Sequence, residues 1–272
     1  MTNKTGMIHK TAIVEDGAKI GADVVIGPYC VIGPKVTIED GTKLHSHVVV
    51  NGNTKIGKNN ELFSFAALGN TPQDIKYDGE DTTLEIGDNN KIRESVTVHL
   101  GTVQGIGTTK IGNNNLIMAY THIAHDCVIG NSVILANNTQ IAGHITISDM
   151  AIIAGFTALH QFVRVGEMAM IQGCSCTNQD IPPYCIAGGS RKASLAGLNL
   201  VALKRKGVSN EVRSAIYKAY KIMFMSGHPT TQEAYDHVKE EGLYHISEVQ
   251  NFVEFIMSSK RGVVRPSERV YD

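Results

Sequence analysis

The sequence predicts a mainly β protein, a parallel β-helix of six-residue repeats followed by a small C-terminal α-helical domain. Three observations support this prediction. Aliphatic residues recur at every sixth position over most of the chain, 27 glycines accompany only 6% aromatic residues, and helical periodicity replaces the repeat after about Gly189. We place the boundary after residue 190, so that residues 1–190 form the β-helix and residues 191–272 form the helical domain.

The six-residue repeat is unbroken in two long runs. Every sixth residue from Ile8 to Leu68, and again from Ile111 to Ile171, is Ile, Val or Leu. A shorter run lies between them: Ile86, Ile92 and Val98. A period of six excludes an α-helical solenoid, because the faces of a helix repeat about every 3.6 residues. It is typical of a parallel β-helix, in which three short strands complete one triangular coil of about 18 residues.

Two breaks in the repeat predict loops that project from the prism. The segment 69–85 loses two hexads, and the segment 99–110 shifts the phase of the repeat by one residue. Binding and catalytic residues concentrate on loops that a rigid scaffold positions. We therefore expect functional side chains in or beside these two segments.

The first two C-terminal helices are predicted from their end signals. A short helix is predicted over residues 194–206, ending at Gly207. Ser209 is the predicted N-cap of a second helix that presents Val212 and Ile216 on its apolar face and closes at Gly227.

Two more helices complete the predicted domain. Thr230 and Glu233 have the spacing of a capping box, and Ser247 with Gln250 repeats that spacing before a helix that Gly262 closes. Amphipathic helices at this point would cap the open end of the β-helix, which is otherwise an exposed sheet edge.

The composition excludes several classes of protein. With 25 basic and 26 acidic residues the net charge is −1, which argues against a generic nucleic-acid binder. No apolar run approaches the roughly 20 residues of a membrane-spanning helix. The N-terminus lacks the apolar stretch of a secretion signal, and the five cysteines form no Cys-x-x-Cys pair. We expect a cytoplasmic protein with reduced thiols.

Positive charge is concentrated at one place in the chain. Residues 190–221 carry eight basic side chains and one acidic side chain. Such a belt fits an anionic partner, a nucleotide diphosphate or an acidic protein, but it equally fits a solvated helical face. The charge alone leaves both interpretations open.

Four of the eleven histidines cluster in the second run: His122, His125, His144 and His160. Residues one coil apart, about 18 positions, lie above one another in a β-helix. Gly143 and Gln161 therefore follow His125 in one column, and His144 lies above Asp126. The repeat thus places an imidazole beside a carboxylate, with a glycine backbone one coil away.

This arrangement suits acyl transfer. A neutral His125 can take the proton from a sugar hydroxyl while Asp126 orients its ring. The Gly143 N–H can stabilise the oxyanion, because a glycine permits close approach. A neighbouring column of small residues leaves a slot for an extended acyl chain: Ala119, Asn137, Gly155 and Gly173.

Three other interpretations of the histidines stay open at this point. They can be solvated corner residues of a purely structural trimer. They can hold zinc as in the hexapeptide-type carbonic anhydrases, although those enzymes use a wider spacing than that of His122 and His125. They can belong to an acetyl-CoA-dependent acetyltransferase of the same fold, which would not need a groove at Gly173.

Almost the whole chain resembles the UDP-N-acetylglucosamine O-acyltransferases, which catalyse the first step of lipid A biosynthesis in Gram-negative bacteria. The resemblance rests on seven stretches: SHVVVNGNTKIG (46–57), NKIRESVTVHLGT (90–102), THIAHDCVIGN (121–131), LANNTQIAGH (135–144), HQFVRVG (160–166), QDIPPY (179–184) and NLVALKRKG (199–207). Together they are highly specific, whereas the six-residue repeat is shared by many acyltransferases. The resemblance implies a left-handed winding of the β-helix.

The resemblance also implies a role for each site residue. His125 would be the general base, Asp126 its orienting partner and Gly143 the oxyanion donor. Eleven further residues would contact substrate: Gln73, Asp74, Lys76, His99, His122, His144, His160, Gln161, Gly173, Asn199 and Arg205. The first three, in the predicted loop, would reach the sugar and diphosphate, and the last two would lie at the uridine end. Gly173 would set the length of the acyl chain.

The implied donor is a 3-hydroxyacyl chain on acyl carrier protein, and the implied acceptor is the 3-position of UDP-N-acetylglucosamine. The sequence does not fix the acyl length, nor whether the acceptor carries a hydroxyl or an amine there. The resemblance implies a homotrimer with sites between the prisms, and no cofactor or metal. The related N-acyltransferase of the same pathway is an alternative, but it usually carries an additional N-terminal domain, which the start of the repeat at Ile8 argues against.

Overall fold

The computed structural model of the protein describes residues 6–190 and 193–267. Residues 7–188 wind into a left-handed prism whose three walls are parallel β-sheets, and a small helical region follows. The predicted fold class is therefore confirmed.

Most strands of the prism are only two residues long. The first half contains β1 (Met7–Ile8), β2 (Ile13–Val14), β3 (Lys19–Ile20), β4 (Val25–Ile26), β5 (Val31–Ile32), β6 (Thr37–Ile38), β7 (Lys43–Leu44), β8 (Val49–Val50), β9 (Asn53–Ile56), β10 (Glu61–Leu62), β11 (Ala67–Asn70), β12 (Thr83–Ile86), β13 (Lys91–Ile92) and β14 (Thr97–His99). The second half contains β15 (Thr108–Ile111), β16 (Leu116–Ile117), β17 (His122–Ile123), β18 (Val128–Ile129), β19 (Ile134–Leu135), β20 (Gln140–Ile141), β21 (Thr146–Ile147), β22 (Ile152–Ile153), β23 (Ala158–Leu159), β24 (Arg164–Val165), β25 (Met170–Ile171), β26 (Cys176–Thr177), β27 (Cys185–Gly188) and β28 (Ser194–Leu198).

From β1 to β26, every third strand belongs to the same wall. Sheet A has the order β1-β4-β7-β10-β13-β16-β19-β22-β25-β27-β28, sheet B the order β2-β5-β8-β11-β14-β17-β20-β23-β26, and sheet C the order β3-β6-β9-β12-β15-β18-β21-β24. Ile123 pairs with Ile141, and Ile141 pairs with Leu159, so that one coil contains 18 residues as the repeat predicts.

The aliphatic residues at every sixth position form the core. From Ile26 to Ile171 they are buried and stack into one continuous apolar column. Each such side chain contributes about 1.5–3 kcal/mol of hydrophobic stabilisation. Ile8 and Ile20 are more exposed because the first coil has no coil beneath it.

Both predicted loops leave the prism at the same edge. The loop 71–82 connects β11 in sheet B to β12 in sheet C, and the loop 100–107 connects β14 in sheet B to β15 in sheet C. Strand pairing resumes after each loop, since Glu61 pairs with Lys91 and Lys91 with Leu116. The extra residues are therefore extruded at the edge between sheets B and C, below the coil that carries His125.

The start of the C-terminal region differs from the sequence prediction. β28 pairs antiparallel with β27, from Cys185 opposite Leu198 to Gly188 opposite Ser194. The helix predicted over residues 194–206 is therefore wrong in its first half, and α1 spans only Leu200–Arg205. The N–H and C=O groups of β27 need partners, and this pairing outweighs local helix propensity.

The other helices agree with prediction except at the ends of the last one. In α2 (Asn210–Met225) and α3 (Thr231–Glu240) the hydroxyls of Ser209 and Thr230 accept the N–H of the third helical residue, as predicted. The predicted Ser247 cap is wrong, because α4 (Ser247–Met257) begins after Ile246 and the Ser247 hydroxyl donates to Glu248 instead. This helix also ends before Gly262.

The helical region covers the last coil of the prism. Arg164 in sheet C donates to the Asp180 carboxylate at 3.0 Å and to the Phe255 carbonyl at 2.9 Å, and Asn251 donates to the Tyr184 hydroxyl at 2.8 Å. The boundary after residue 190 stays a prediction, since residues 191–192 lie outside the described residues. In the described part of the chain, no helix combines the length and apolar character needed to cross a bilayer.

Candidate active site

The His125–Asp126 pair lies at the edge between sheets B and C. β17 ends at Ile123 and β18 begins at Val128, so the two residues form the corner turn between the two walls. Asp126 has a positive φ of 58°, a left-handed conformation that recurs at the corners of the prism. His125 Nδ1 lies 2.8 Å from Asp126 Oδ2, and both side chains are buried. The coil geometry thus produces the imidazole–carboxylate pair that the sequence predicts.

The loop 100–107 holds the Asp126 carboxylate in place. The Thr102 hydroxyl donates to Oδ2 at 2.6 Å, and the N–H groups of Thr102 and Ile106 donate at 3.1 and 3.0 Å. A Cβ on Gly105 would lie 2.3 Å from Cγ of Asp126, so only glycine lets the loop close this tightly. Burial by itself would raise the pKa of Asp126, but these hydrogen bonds and that of His125 outweigh it and lower the pKa.

Gly143 lies directly against the His125 ring. A Cβ on Gly143 would lie 2.6 Å from Cε1 and 2.7 Å from Nε2 of His125, so any larger residue would displace the ring. Among the described residues, the Gly143 N–H has no hydrogen-bond partner. The predicted stacking of this glycine on the imidazole is therefore present in the structure.

His144 lies one coil above Asp126, as the 18-residue ladder predicts. Its Nδ1 is 3.8 Å from Asp126 Oδ2, and its ring meets the His125 ring edge-on with 4.8 Å between centroids. Phe162 stacks on its other face at 4.4 Å, almost parallel. Burial lowers the pKa of the His144 imidazole, which favours the neutral ring.

His99 and His122 extend the cluster downward along sheet B. Their rings lie 4.8 Å apart, and His122 Nδ1 is 2.7 Å from the Thr97 hydroxyl. His99 is buried, and burial together with His122 and His125 lowers its pKa to about 4. Burial also lowers the pKa of His122. These neighbours of His125 therefore favour the uncharged state at neutral pH.

The loop 71–82 brings a second carboxylate to the free side of His125. Asp74 Oδ2 lies 3.9 Å from His125 Nε2, and Asp74 Oδ1 accepts the N–H of Lys76 at 3.0 Å. Gln73 lines the same cleft as His125, and the Lys76 side chain is exposed. The structure thus brings Gln73 and Asp74 close to His125, whereas Lys76 is exposed on the same loop.

A cleft of about 370 Å³ opens beside His125 along sheet B, and we call it the lower cleft. It is lined by residues that include Gln73, His122, Gly143 and Gln161. An upper cleft, also about 370 Å³, shares Ala158 and Leu159 with it and extends past His160 and Cys176. The two clefts form a continuous groove that runs toward the helical region.

Gly173 lies at the top of the predicted column of small residues. Among the described atoms, a Cβ on Gly173 would meet only Gly155 O, at a close 3.3 Å, and Ala154 Cβ at 4.0 Å, so the position is open on its other sides. Gly155 in turn stacks on Asn137, with 3.1 Å from its own added Cβ to the Asn137 carbonyl oxygen. The column that the ladder predicts is therefore present.

The structure does not bring Asn199 and Arg205 to His125 within one chain. Asn199 is buried at the start of α1, where it caps the helix and donates to the Met168 carbonyl at 2.9 Å. Arg205 is exposed at the end of the same helix. Neither residue lines the two clefts.

The ligand atoms of His125, Asp126 and His144 lie within 4.8 Å of one another, a separation that a metal site could use. The Asp126 oxygens, however, already accept hydrogen bonds from Thr102, Ile106 and His125. A cation would compete with all of these donors. The donor set therefore fits an oriented imidazole better than a metal ion.

Sequence reasoning missed the residues that hold the pair. Thr102, Gly105 and Ile106 lie in the second break of the repeat, where no periodicity predicts which atoms face Asp126. Phe162 follows His144 by one coil, so the ladder does contain a signal for that stacking contact.

The fold and the site first identify the general class of protein to which the chain belongs. The family model described as "Bacterial transferase hexapeptide (six repeats)" matches residues 108–143, which contain His122, His125 and Gly143. The fold and this match place the chain in the hexapeptide-repeat class of transferases, and the matched segment contains the His125–Asp126 pair.

A second family model, "Udp N-acetylglucosamine O-acyltransferase; Domain 2", matches residues 180–264. Solved structures agree over nearly the full length. LpxA from Acinetobacter baumannii is 49% identical, with a TM-score of 0.92 and coverage of 95% of this chain and 99% of that chain. The UDP-N-acetylglucosamine acyltransferase LpxA of Bacteroides fragilis is 42% identical, with a TM-score of 0.91 and coverage of 95% and 100%. The Arabidopsis UDP-N-acetylglucosamine acyltransferase is 35% identical, with a TM-score of 0.84 and coverage of 95% and 100%. The chain belongs to the UDP-N-acetylglucosamine O-acyltransferase family and is an acyltransferase.

Proposed function

We propose that this protein transfers a 3-hydroxyacyl chain from acyl carrier protein to the 3-hydroxyl of UDP-N-acetylglucosamine, the first step of lipid A biosynthesis. The observation that carries the proposal is the buried His125–Asp126 pair, 2.8 Å apart, beneath the unpartnered N–H of Gly143 in the described structure. This constellation suits an acceptor that must lose a proton as it attacks a carbonyl carbon.

In the proposed mechanism, His125 Nε2 accepts the proton of the 3-hydroxyl as the sugar oxygen attacks the thioester carbon. The resulting oxyanion accepts a hydrogen bond from the Gly143 N–H. The intermediate then breaks its C–S bond, and the His125 imidazolium returns the proton to the leaving thiolate, which departs as the thiol of the carrier. Asp126 stabilises the imidazolium and fixes the ring with its proton on Nδ1.

The remaining site residues are proposed to bind substrate. Asp74, 3.9 Å from His125 Nε2, lies where it can accept a hydrogen bond from a sugar hydroxyl placed between the two groups. Gln73, His122 and Gln161 line the same cleft, and His144 meets the His125 ring edge-on. His99 lies against His122, Lys76 lies in the loop 71–82, and His160 lines the adjoining upper cleft. Gly173 is proposed to limit the acyl chain.

We also propose a cytoplasmic homotrimer. Asn199 and Arg205 lie away from the His125 clefts of their own chain, which supports an arrangement in which a second subunit supplies the uridine contacts. The exposed aromatics Tyr120 and Phe156 at the prism corners offer apolar surface for such an interface. No cofactor is assigned to the reaction.

The test is turnover with defined substrates. Purified protein is assayed with acyl carrier proteins bearing 3-hydroxyacyl chains of several lengths, against UDP-N-acetylglucosamine and its 3-amino analogue. We expect ester formation at the 3-hydroxyl, unaffected by a metal chelator. Exclusive amide formation with the analogue would assign an N-acyltransferase, and loss of activity on chelation would assign a metal enzyme.

A further inference from the structure

Arg261 places its guanidinium at the rim of the upper cleft. It follows α4 and is half-buried, and its Nε donates to the Asn178 carbonyl at 2.7 Å. Its Nη2 lies 3.3 Å from His160 Nδ1. Asn178 and His160 both line the upper cleft. Within residues 6–190 and 193–267, no carboxylate lies within salt-bridge distance of Arg261.

The contact with Arg261 sets the tautomer of His160. A guanidinium can only donate hydrogen bonds, so His160 Nδ1 must accept, and the ring proton then lies on Nε2. The Gln161 carbonyl, 3.2 Å from Nδ1, would suit the opposite tautomer. That tautomer would set two N–H groups against each other, so the Arg261 contact decides. The exposed His160 ring therefore offers its Nε2–H as a donor.

Arg261 also keeps donors for a ligand. Nε and Nη2 are engaged, whereas Nη1 has no hydrogen-bond partner among the described residues. The pair thus combines a fixed positive charge with outward N–H donors on two side chains. Such a combination matches the oxygens of a phosphate group, which arginine binds through charge-assisted hydrogen bonds.

The position of the pair relative to the chemistry supports the same ligand. His160 precedes Gln161, which lines the lower cleft with His125 and Gly143. The Arg261 guanidinium therefore lies beside the groove one coil above the oxyanion position. A substrate that extends from His125 toward the helical region would pass its next charged group along this rim.

We propose that Arg261 and His160 form a phosphate-binding subsite for a substrate of the acyl transfer. The inference rests on the proposed function for the identity of the substrates. Two of them carry phosphate: the diphosphate of the nucleotide sugar, and the phosphopantetheine arm of the acyl carrier. The subsite binds the phosphate of one of them.

The experiment uses the Arg261→Gln variant of the full chain, with Lys260→Gln as a matched control. Lys260 is the exposed neighbour, and its replacement removes the same charge. Calorimetric titration measures the dissociation constants of UDP-N-acetylglucosamine and of a 3-hydroxyacyl phosphopantetheine, and steady-state kinetics measures KM and kcat for both substrates. Arg261→Lys, which keeps the charge, is measured in parallel so that a fold defect is recognised.

We expect Arg261→Gln to weaken one of the two ligands about tenfold or more, with a matching rise in its KM and little change in kcat. An effect confined to the nucleotide sugar assigns the diphosphate, and one confined to the phosphopantetheine compound assigns the donor arm. Equal binding of both ligands by Arg261→Gln and Lys260→Gln would overturn the subsite. Titration needs no turnover, so a wild type that binds these ligands but transfers no acyl group would contradict the proposed function and leave the subsite intact.

Discussion

At the scale of single residues, the site depends on how few degrees of freedom its side chains retain. Asp126 occupies a left-handed corner conformation, which costs a non-glycine residue on the order of 1 kcal/mol. That corner turns its carboxylate toward the loop 100–107, whose donors fix it. His125 then has Asp126 as its partner on Nδ1, which leaves Nε2 to accept a proton. The corner conformation of Asp126 and the loop together fix the orientation of the His125 imidazole.

Thr102→Val tests whether the loop holds the carboxylate. The variant loses the 2.6 Å bond to Asp126, and we expect kcat to fall about tenfold or more. Thr102→Ser should restore activity, and Thr108→Val, whose hydroxyl does not reach Asp126, should leave it unchanged.

The effect of Thr102→Val on the free energy of unfolding should depend on pH. The pKa of Asp126 is lowered on folding, so its contribution to the free energy of unfolding is present above about pH 4 and is lost as the pH falls through the folded pKa. We expect the stability difference between wild type and Thr102→Val to be about 1–3 kcal/mol at pH 7 and to narrow below pH 4. A difference that stays constant with pH would show that the hydroxyl does not act on the carboxylate.

Gly143→Ala tests the contact between backbone and imidazole. The new Cβ would lie 2.6 Å from the His125 ring, so the ring must move, and a displacement on the order of 1 Å can lower turnover about a hundredfold. Gly33→Ala is the control, since its Cβ would lie 3.2 Å from Asn51 Oδ1, far along the chain from the site. Turnover that falls equally in both variants would argue against a specific role for Gly143.

At the scale of elements, the repeat determines which residues meet, and the loops determine how they are held. The register of one coil was readable from aliphatic spacing, so the columns through His125, His144 and Gly173 were predictable. The hydrogen bonds of Thr102 and Ile106 were not, because loop backbone has no periodic signal. β28 was missed because its pairing with β27 outweighs local helix propensity, and the cap of α4 was missed because the Ser247 hydroxyl donates to the neighbouring Glu248 instead.

Gly173→Met tests the column of small residues. An added Cβ would make one close contact, 3.3 Å to Gly155 O, and would meet only one other described atom within 4 Å. A methionine would occupy the open space beside that contact, so we expect the preferred 3-hydroxyacyl chain to become shorter, measured as kcat/KM across a series of acyl carrier proteins. An unchanged length preference would refute the role of this column.

At the scale of the whole molecule, the prism is a scaffold for the one edge that carries the candidate active site. Both loops project from the edge between sheets B and C, and His125 lies at this edge as well. The helical region covers the end of the groove that the two clefts form. Asn199 and Arg205 lie beyond it in their own chain. We therefore propose that a second copy of the chain supplies these two residues to the site.

Subunit complementation tests this arrangement. We expect the protein to sediment at about three times the 29.4 kDa chain mass. Unfolding and refolding a mixture of His125→Asn and Arg205→Ala chains should restore activity, because some sites then combine a wild-type His125 with a wild-type Arg205. Mixtures no more active than the separate variants would place both residues in sites of one chain.

We propose that His125 accepts the proton of the attacking hydroxyl, and kcat of His125→Asn at saturating substrates measures this role directly. Asparagine keeps a polar side chain but offers no base at neutral pH. We expect a fall of about 10²–10⁴-fold in kcat, with the thermal midpoint and oligomeric state preserved. A folded His125→Asn enzyme with wild-type kcat would contradict it.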